Sequence, residues 1–354
     1  MKERGNPVLR WLDRFVGIPL IFILGCLKKK KELKEQDRIG ILLMGGIGDT
    51  VLLTALLQDL QGKTITLFTS KSNAEMARLI PGIEVIPLSV FLPYCSTRKI
   101  RKTSFDVFID ANPWPRINAL FSFFAKAQFK IGFKTKREHR HYVYDHVVEH
   151  STECHELDNL RSLLKVLNIE TKHNPHVPID DEIKSSDKIA LHLYAGGSRA
   201  YLKEWSEKNW IDLIDSLIKK GFSLILTGSP SDQERLNKVR SKCTSQEKID
   251  IAAGKLSLHE TARLLKTVHA TISIDTGIMH LAAAVGCPLI CLHGPTPPKR
   301  WGAIGNNVIA LQWKKDYTPC IHLGFESTCA SNHCMQGIEI SDVLSALSTL
   351  NKTS

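Results

Sequence analysis

Three short stretches of the chain carry residue types that do chemistry on phosphates and hydroxyls. The first is Gly45-Gly46-Ile47-Gly48-Asp49-Thr50, where Gly46 and Gly48 allow a sharp turn and a close backbone approach, and Asp49 supplies one carboxylate. Position 51 is Val51, so the third glycine of a dinucleotide fingerprint is missing, and no Gly-Lys-Ser/Thr follows as in a phosphate-binding loop. Asp49 therefore has two readings, a base for a hydroxyl proton or a cap on the helix expected from Thr50. The second stretch is Ala195-Gly196-Gly197-Ser198-Arg199, followed by Lys203-Glu204-Trp205. Backbone N–H groups, the Ser198 hydroxyl and the Lys203 point charge suit a diphosphate, although a lysine in such a place is also an ordinary solvated cation. The third is Asp275-Thr276-Gly277-Ile278-Met279-His280 at the start of an apolar helix. Free N–H groups there hold phosphate, and a carboxylate accepts sugar hydroxyl protons. Capping accounts for Asp275 but not for His280 one turn later, which is otherwise a satisfied core histidine. A rigid Gly294-Pro295-Thr296-Pro297-Pro298 loop with Trp301 follows the next strand.

Each stretch needs a strand before it and a helix after it, and the hydrophobic pattern provides both. Residues 38–44, 64–69, 84–87 and 105–110 read as strands, with helices at 50–60, 72–80, 118–127 and 155–167. A second series has strands at 188–194, 223–227, 249–252, 270–274 and 288–293 and helices at 207–219, 232–242, 258–267, 277–285 and 340–350. Alternation of this kind predicts an α/β fold with parallel sheets. Residues 171–187, polar and carrying two prolines, read as a linker between 37–170 and 188–354. Two Rossmann-like domains joined in this way place a ligand in a central cleft at the carboxyl ends of the strands.

The chain has 354 residues with 47 Lys+Arg and 36 Asp+Glu, and the imbalance is local. Residues 1–140 hold 24 basic and 12 acidic residues, a net of +12; residues 141–354 hold 23 and 24, a net of −1. The N-terminal half is thus expected to meet something anionic. Residues 15–27 are uncharged and mostly apolar, contain Pro19, and are followed by Lys28–Lys31. Thirteen residues fall short of the roughly 20 that span a bilayer. Residues 1–36 then read as an amphipathic or apolar helix on an anionic membrane surface, or as a helix packed on the protein itself. The basic runs at 98–102 and 126–140 match no nucleic-acid module, so nucleic acid is not an expected partner. Nine scattered cysteines suit a reducing compartment. Cys320, Cys329 and Cys334, with His322 and His333, form a local cluster without a C-x-x-C pair, and no metal site is predicted from it.

Taken together, Gly46-Ile47-Gly48-Asp49, Lys203-x-Trp205, Asp275-Thr276-Gly277-x-x-His280-Leu281-Ala282-Ala283 and Gly294-Pro295-Thr296 resemble glycosyltransferase family 9, the heptosyltransferase family of lipopolysaccharide core assembly. The resemblance runs from about Ile39 to about Ile340. It implies a GT-B fold and inverting, metal-independent transfer from a nucleotide-sugar, typically ADP-heptose, to a lipid-linked saccharide on the inner face of the bacterial inner membrane. It also implies that Asp49 is the base, that Gly46 and Gly48 shape the acceptor-side loop, and that Gly197, Ser198, Lys203, Asp275, Thr276, Gly277 and His280 bind the donor. Members that use ADP-heptose often carry an acidic residue just after the strand that here ends at Thr227, where this chain has Gly228-Ser229-Pro230-Ser231. A catalytically inactive nucleotide-sugar-binding regulator is the competing class, disfavoured by the intact Asp49 and Lys203.

Overall fold

The computed structural model describes residues 7–179, 186–197, 199–313, 320–321 and 329–350. They form two compact units, Met1–His173 and Asn174–Ser354.

The first unit opens with helices α1 (Pro7–Phe15) and α2 (Gly17–Leu27). Strand and helix then alternate: β1 (Arg38–Leu43), α3 (Ile47–Asp59), β2 (Thr64–Ser70), α4 (Ala74–Ala77), β3 (Ile83–Leu88), α5 (Pro93–Ile100), β4 (Ser104–Asp110), α6 (Arg116–Phe124), β5 (Lys126–Lys134), β6 (His146–Glu149) and α7 (Glu156–Lys165). All strand pairs are parallel, in the order β3-β2-β1-β4-β5-β6. Apart from its first residue β1 is buried, which is why it reads as an unbroken apolar run rather than an alternating one. Leu42, Phe68, Phe105, Phe108 and Phe121 form one core cluster, with three mutual ring contacts among Phe68, Phe105 and Phe108.

The second unit repeats the plan with β7 (Ser186–His192), α8 (Glu207–Lys219), β8 (Ser223–Thr227), α9 (Gln233–Ser241), β9 (Ile249–Ile251), α10 (Leu258–Thr267), β10 (Val268–Ile274), α11 (Gly277–Ala284), β11 (Leu289–His293), α12 (Pro298–Trp301), β12 (Val308–Gln312), α13 (His333–Gln336) and α14 (Ile340–Leu350). Its parallel sheet runs β12-β11-β10-β7-β8-β9. Helix α8 shows how locally this is specified. Ser206 accepts a hydrogen bond from the Asn209 N–H (3.0 Å) at its start. Trp210, Leu213, Ile214, Leu217 and Ile218 recur every three or four residues and are buried. Gly221, at φ +97°, follows its end. Each of those side chains stabilises the unit by about 1.5–3 kcal/mol through burial.

In both sheets the strand order reverses beside the first strand, between β1 and β4 and between β7 and β10. The loops leaving these strands diverge there, and the crevice outside their carboxyl ends is where such sheets bind ligands. All three candidate stretches leave from one of these strands: Asp49 follows β1, Lys203 follows β7 and Asp275 follows β10.

Several elements differ from the sequence expectation. The helix expected at 72–80 contracts to α4, and the one expected at 118–127 ends at Phe124 because the chain turns into β5. The lysines of β5 alternate with Phe129, Ile131 and Phe133, so the stretch is a sheet strand rather than a solvated basic run. Lys130 is itself buried, and burial pushes its ammonium pKa down to about 8. The expected linker, 171–187, lies partly outside the described residues; within it Val177 is buried and its N–H donates to the Ala284 carbonyl (3.0 Å).

Candidate active site

In the first unit α3 begins at Ile47, three residues before the start read from the sequence. Asp49 is consequently the third residue of the helix, not its cap. Its Oδ2 accepts the Gly46 N–H, closing the turn from β1 into α3. A side chain at Gly45 would collide with that carboxylate, so glycine is needed there. The loop is braced from both neighbouring strands. The Thr69 hydroxyl donates to the Leu43 carbonyl (2.7 Å), and Asn73 donates to the Gly45 carbonyl. From the β4 side, Asn112 accepts the Met44 N–H (2.7 Å) and donates to the Leu42 carbonyl (2.9 Å). Asp49 is half-buried, and at a helix start a carboxylate is electrostatically favoured.

Asn112 belongs to a buried network. Its side-chain amide donates to Asp110 Oδ1 (2.7 Å), while Asp110 Oδ2 is held by Arg140 and by the Tyr144 hydroxyl (2.6 Å). The Asp110 and Arg140 side chains have no exposed surface. Burial alone would lower the Arg140 pKa, but Asp110 and Tyr144 override it and the shift is upward. We expect Arg140→Met to destabilise the chain by about 3–5 kcal/mol, because it strands a buried carboxylate. Urea unfolding checks this; a loss below about 1 kcal/mol would show the network to be dispensable.

In the second unit Gly197 (φ +93°) and Arg199 (φ +56°) take the left-handed conformations that bend the chain away from β7. Ser198 lies outside the described residues. Lys203 ends the following short turn, and its Nζ lies 2.7 Å from Asp275 Oδ2. The turn is fastened by the C-terminal segment. Trp205 Nε1–H donates to the Ile338 carbonyl (3.2 Å), and Asn332 donates to the carbonyls of Tyr201 (3.1 Å) and Glu204 (2.8 Å). Asp275 is buried after β10; desolvation opposes its ionisation, but Lys203 reverses that and holds the carboxyl well below the usual range. Thr276 precedes α11, Gly277 is its first residue, and buried His280 lies one turn along it. Lys203 and Asp275 are thus brought together, with Thr276, Gly277 and His280 following Asp275 directly.

Residues not singled out from the sequence join them. His293, fully buried at the end of β11, stands beside Asp275, and burial lowers its pKa while Asp275 opposes the shift. His192, at the end of β7, has its pKa pushed to about 4 by burial and pairs Nδ1 with the Thr227 hydroxyl at the end of β8 (2.9 Å). A histidine closing an apolar strand, as in Ile189-Ala190-Leu191-His192 and Leu289-Ile290-Cys291-Leu292-His293, was the available signal, since the carboxyl end of such a strand faces the ligand crevice. Arg235 stacks on the Tyr194 ring at 3.6 Å and pairs with Glu204 at 2.6 Å. Asp232 accepts the Ser229 N–H (2.8 Å), so it closes its own turn after β8. Gly294 is in close contact with Met335, which explains the glycine after β11 and ties it to α13. His322 lies outside the described residues, and among the described residues no group of three His, Cys, Asp or Glu is placed to hold a metal.

Comparison with known proteins identifies the family and the fold. Residues 96–329 match glycosyltransferase family 9 (heptosyltransferase), a span that includes Lys203, Asp275 and His280 but not the Asp49 loop. Lipopolysaccharide heptosyltransferase 1 of Pseudomonas aeruginosa is 29% identical over 143 residues, 40% of this chain and 39% of that protein. Lipopolysaccharide heptosyltransferase 1 of Salmonella typhimurium is 34% identical over 126 residues, 35% of this chain and 38% of that protein. The aligned parts span about two fifths of these curated relatives. Among solved structures, E. coli ADP-heptose lipopolysaccharide heptosyltransferase II superposes with a TM-score of 0.73 at 18% identity, over 90% of this chain and 100% of that one. E. coli heptosyltransferase WaaC with ADP gives 0.69 at 21% identity, over 88% and 99%. The architecture is therefore GT-B, built from two Rossmann-like units, and the chain belongs to glycosyltransferase family 9, the heptosyltransferase family.

Proposed function

We propose that the chain is an inverting glycosyltransferase that moves a heptose from ADP-heptose to a lipopolysaccharide core or related lipid-linked saccharide. The Lys203–Asp275 pair at the switch point of the second sheet carries this reading. A cation held by a carboxylate at a helix start is poised to exchange that partner for a diphosphate, whose remaining charge meets the N–H groups opening α11. Relatives of this fold support the donor: one solved heptosyltransferase holds ADP and another structure of it holds ADP-2-deoxy-2-fluoro heptose.

In the reaction, the acceptor hydroxyl gives its proton to Asp49 and its oxygen bonds the anomeric carbon from the face opposite the leaving group. The bond to the diphosphate oxygen breaks, and its electron pair leaves with ADP. Lys203 and α11 stabilise that developing charge, while Asp275 and His280 hold the donor. In this proposal Lys203 and the N–H groups opening α11 take the charge-compensating role, and no metal takes part. Turnover is expected to be unchanged by excess EDTA; a fall restored by a divalent cation would overturn that part. The acceptor is lipid-linked, which places the work at the inner face of the bacterial inner membrane.

The deciding experiment incubates the purified chain with a panel of nucleotide-sugars and a lipid-linked core acceptor, then reads the product's anomeric configuration. Inverted heptose transfer is expected from ADP-heptose. Absence of both transfer and donor hydrolysis across the panel would favour a regulator that only binds the nucleotide-sugar.

A further inference from the structure

The two N-terminal helices are used on both sides. Along one side lie Asp13, Gly17, Ile21, Gly25 and Lys28, spaced three or four residues apart, and each meets the first unit. Asp13 pairs with Arg116 (3.0 Å) and accepts the Ile117 N–H (3.0 Å), which opens α6. Gly17 and Gly25 lie where a side chain would press on Arg116 and Tyr142. Ile21 is buried with Ala119, Val143 and Tyr144. Lys28 pairs with Asp145 at 2.5 Å. Helical hydrogen bonds cross the junction, from the Val16 N–H to the Leu12 carbonyl (2.9 Å) and from the Leu20 N–H to the Val16 carbonyl (3.2 Å). The two helices therefore keep a common phase.

The opposite side is apolar and open. Trp11, Phe15, Phe22 and Ile23 are 54–59% exposed, and Leu27, at the end of the stripe, is 74% exposed. A row of large apolar side chains this long marks an interaction surface rather than ordinary surface scatter. Immediately beyond it come four lysines, of which Lys28 and Lys31 are engaged with the protein: Lys31 donates through its N–H to Asp145 (2.9 Å) and through Nζ to the Ala127 carbonyl (3.1 Å). Lys29 and Lys30 are exposed.

We propose that this stripe is a bilayer-docking wedge: Trp11, Phe15, Phe22, Ile23 and Leu27 enter the headgroup–acyl boundary of an anionic membrane while Lys29 and Lys30 meet its phosphates. Charge selects the occupant, because the half of the chain that bears the stripe carries the net +12 and a protein partner would not require lysines at the stripe's end. The docked face forbids spanning, since Asp13, Lys28 and the two glycines are held against the unit; among the described residues no helix is long and apolar enough to cross a membrane. The apolar side enters by about 5–10 Å instead, and the rigid attachment sets one orientation of the first unit toward the lipid. The inference takes from the proposed function only that the acceptor is lipid-linked.

Flotation of the full chain with phosphatidylcholine vesicles, alone or with about a third phosphatidylglycerol, tests it. The wild type is expected to float chiefly with the anionic vesicles. The triple variant Phe15→Ser/Ile23→Ser/Leu27→Ser, altered at exposed positions and leaving the Phe22 ring on Tyr142, should lose at least about tenfold of that binding at unchanged Tm. Lys29→Glu/Lys30→Glu should lose the preference for phosphatidylglycerol. Wild-type flotation by the triple variant would overturn the wedge. So would a dimer in solution that the triple variant splits, with no vesicle binding by either protein. Donor turnover on a soluble acceptor is read on the same proteins: turnover retained by the non-floating variant supports a docking role. A wild type that floats but turns over no donor leaves the wedge standing and overturns the enzymatic reading instead.

Discussion

Asp49→Asn will lower sugar transfer by about two to four orders of magnitude while changing donor affinity by less than about twofold. Asparagine separates two roles that the carboxylate combines. Its side-chain oxygen can still accept the Gly46 N–H, so the turn from β1 into α3 and the braces from Thr69, Asn73 and Asn112 survive. What it lacks is the basicity to take a hydroxyl proton. Donor affinity is the control because the residues assigned to the donor lie in the other unit, after β7 and β10. Asp49→Ala removes the helix-start contact as well and is expected to cost about a further 1 kcal/mol of stability. Transfer rates with a fixed lipid-linked acceptor, and donor titration by calorimetry, measure the two effects. Near-normal transfer by the asparagine variant would remove Asp49 from the chemistry and leave it a helix-start residue.

How far the sequence could be read depended on whether neighbours in the chain are also neighbours in space. Helices α8, α10 and α14 have the bounds expected from periodicity alone, since each carries its whole apolar stripe within the segment, and Ser206 and Ser257 cap the starts of α8 and α10. The Asp275-Thr276-Gly277 corner was legible for the same reason. Pairing between distant residues was not. Lys203 and Asp275 are 72 positions apart, and only the adjacency of β7 and β10 joins them. His293 is easily taken for core, as a histidine in an apolar strand; only its place at the carboxyl end of that strand hints otherwise, and its importance comes from standing beside Asp275. In β5 the lysines obscure the alternation of Phe129, Ile131 and Phe133, so the sequence shows a basic run at 126–140 and no strand is expected there. The N-terminal helix was foreseen as either membrane-facing or packed on the protein; its packed face, from Asp13 to Lys28, meets the first unit while the opposite face stays open.

The second large effect concerns Lys203. Lys203→Met should weaken donor binding by about 10- to 100-fold, the loss expected when a charge-assisted contact to a diphosphate disappears. The same change strands Asp275. In the wild type, desolvation would raise the Asp275 pKa, but Lys203 reverses this and holds it well below the usual carboxylate range. That depression contributes stability present above the unfolded pKa and lost as pH falls through the folded one. Without Lys203, burial is opposed only by His293 and Thr296, so the folded pKa is expected to rise above the unfolded value and the carboxylate to become a liability at neutral pH. The variant should lose about 2–3 kcal/mol at pH 7, less than a fully buried pair would, because the Lys203 side chain keeps 24% of its surface exposed. The deficit should shrink as the solution is acidified toward about pH 4, where the unfolded chain also begins to take up the proton. Lys203→Met/Asp275→Asn then tests the stability effect by itself. Removing the stranded charge should restore most of the stability at pH 7 while donor binding stays weak. Recovery of donor binding in that double variant would mean that Lys203 serves only to neutralise Asp275; a stability deficit that persists unchanged at all pH values would mean that the loss came from packing around the lysine stem rather than from the pair.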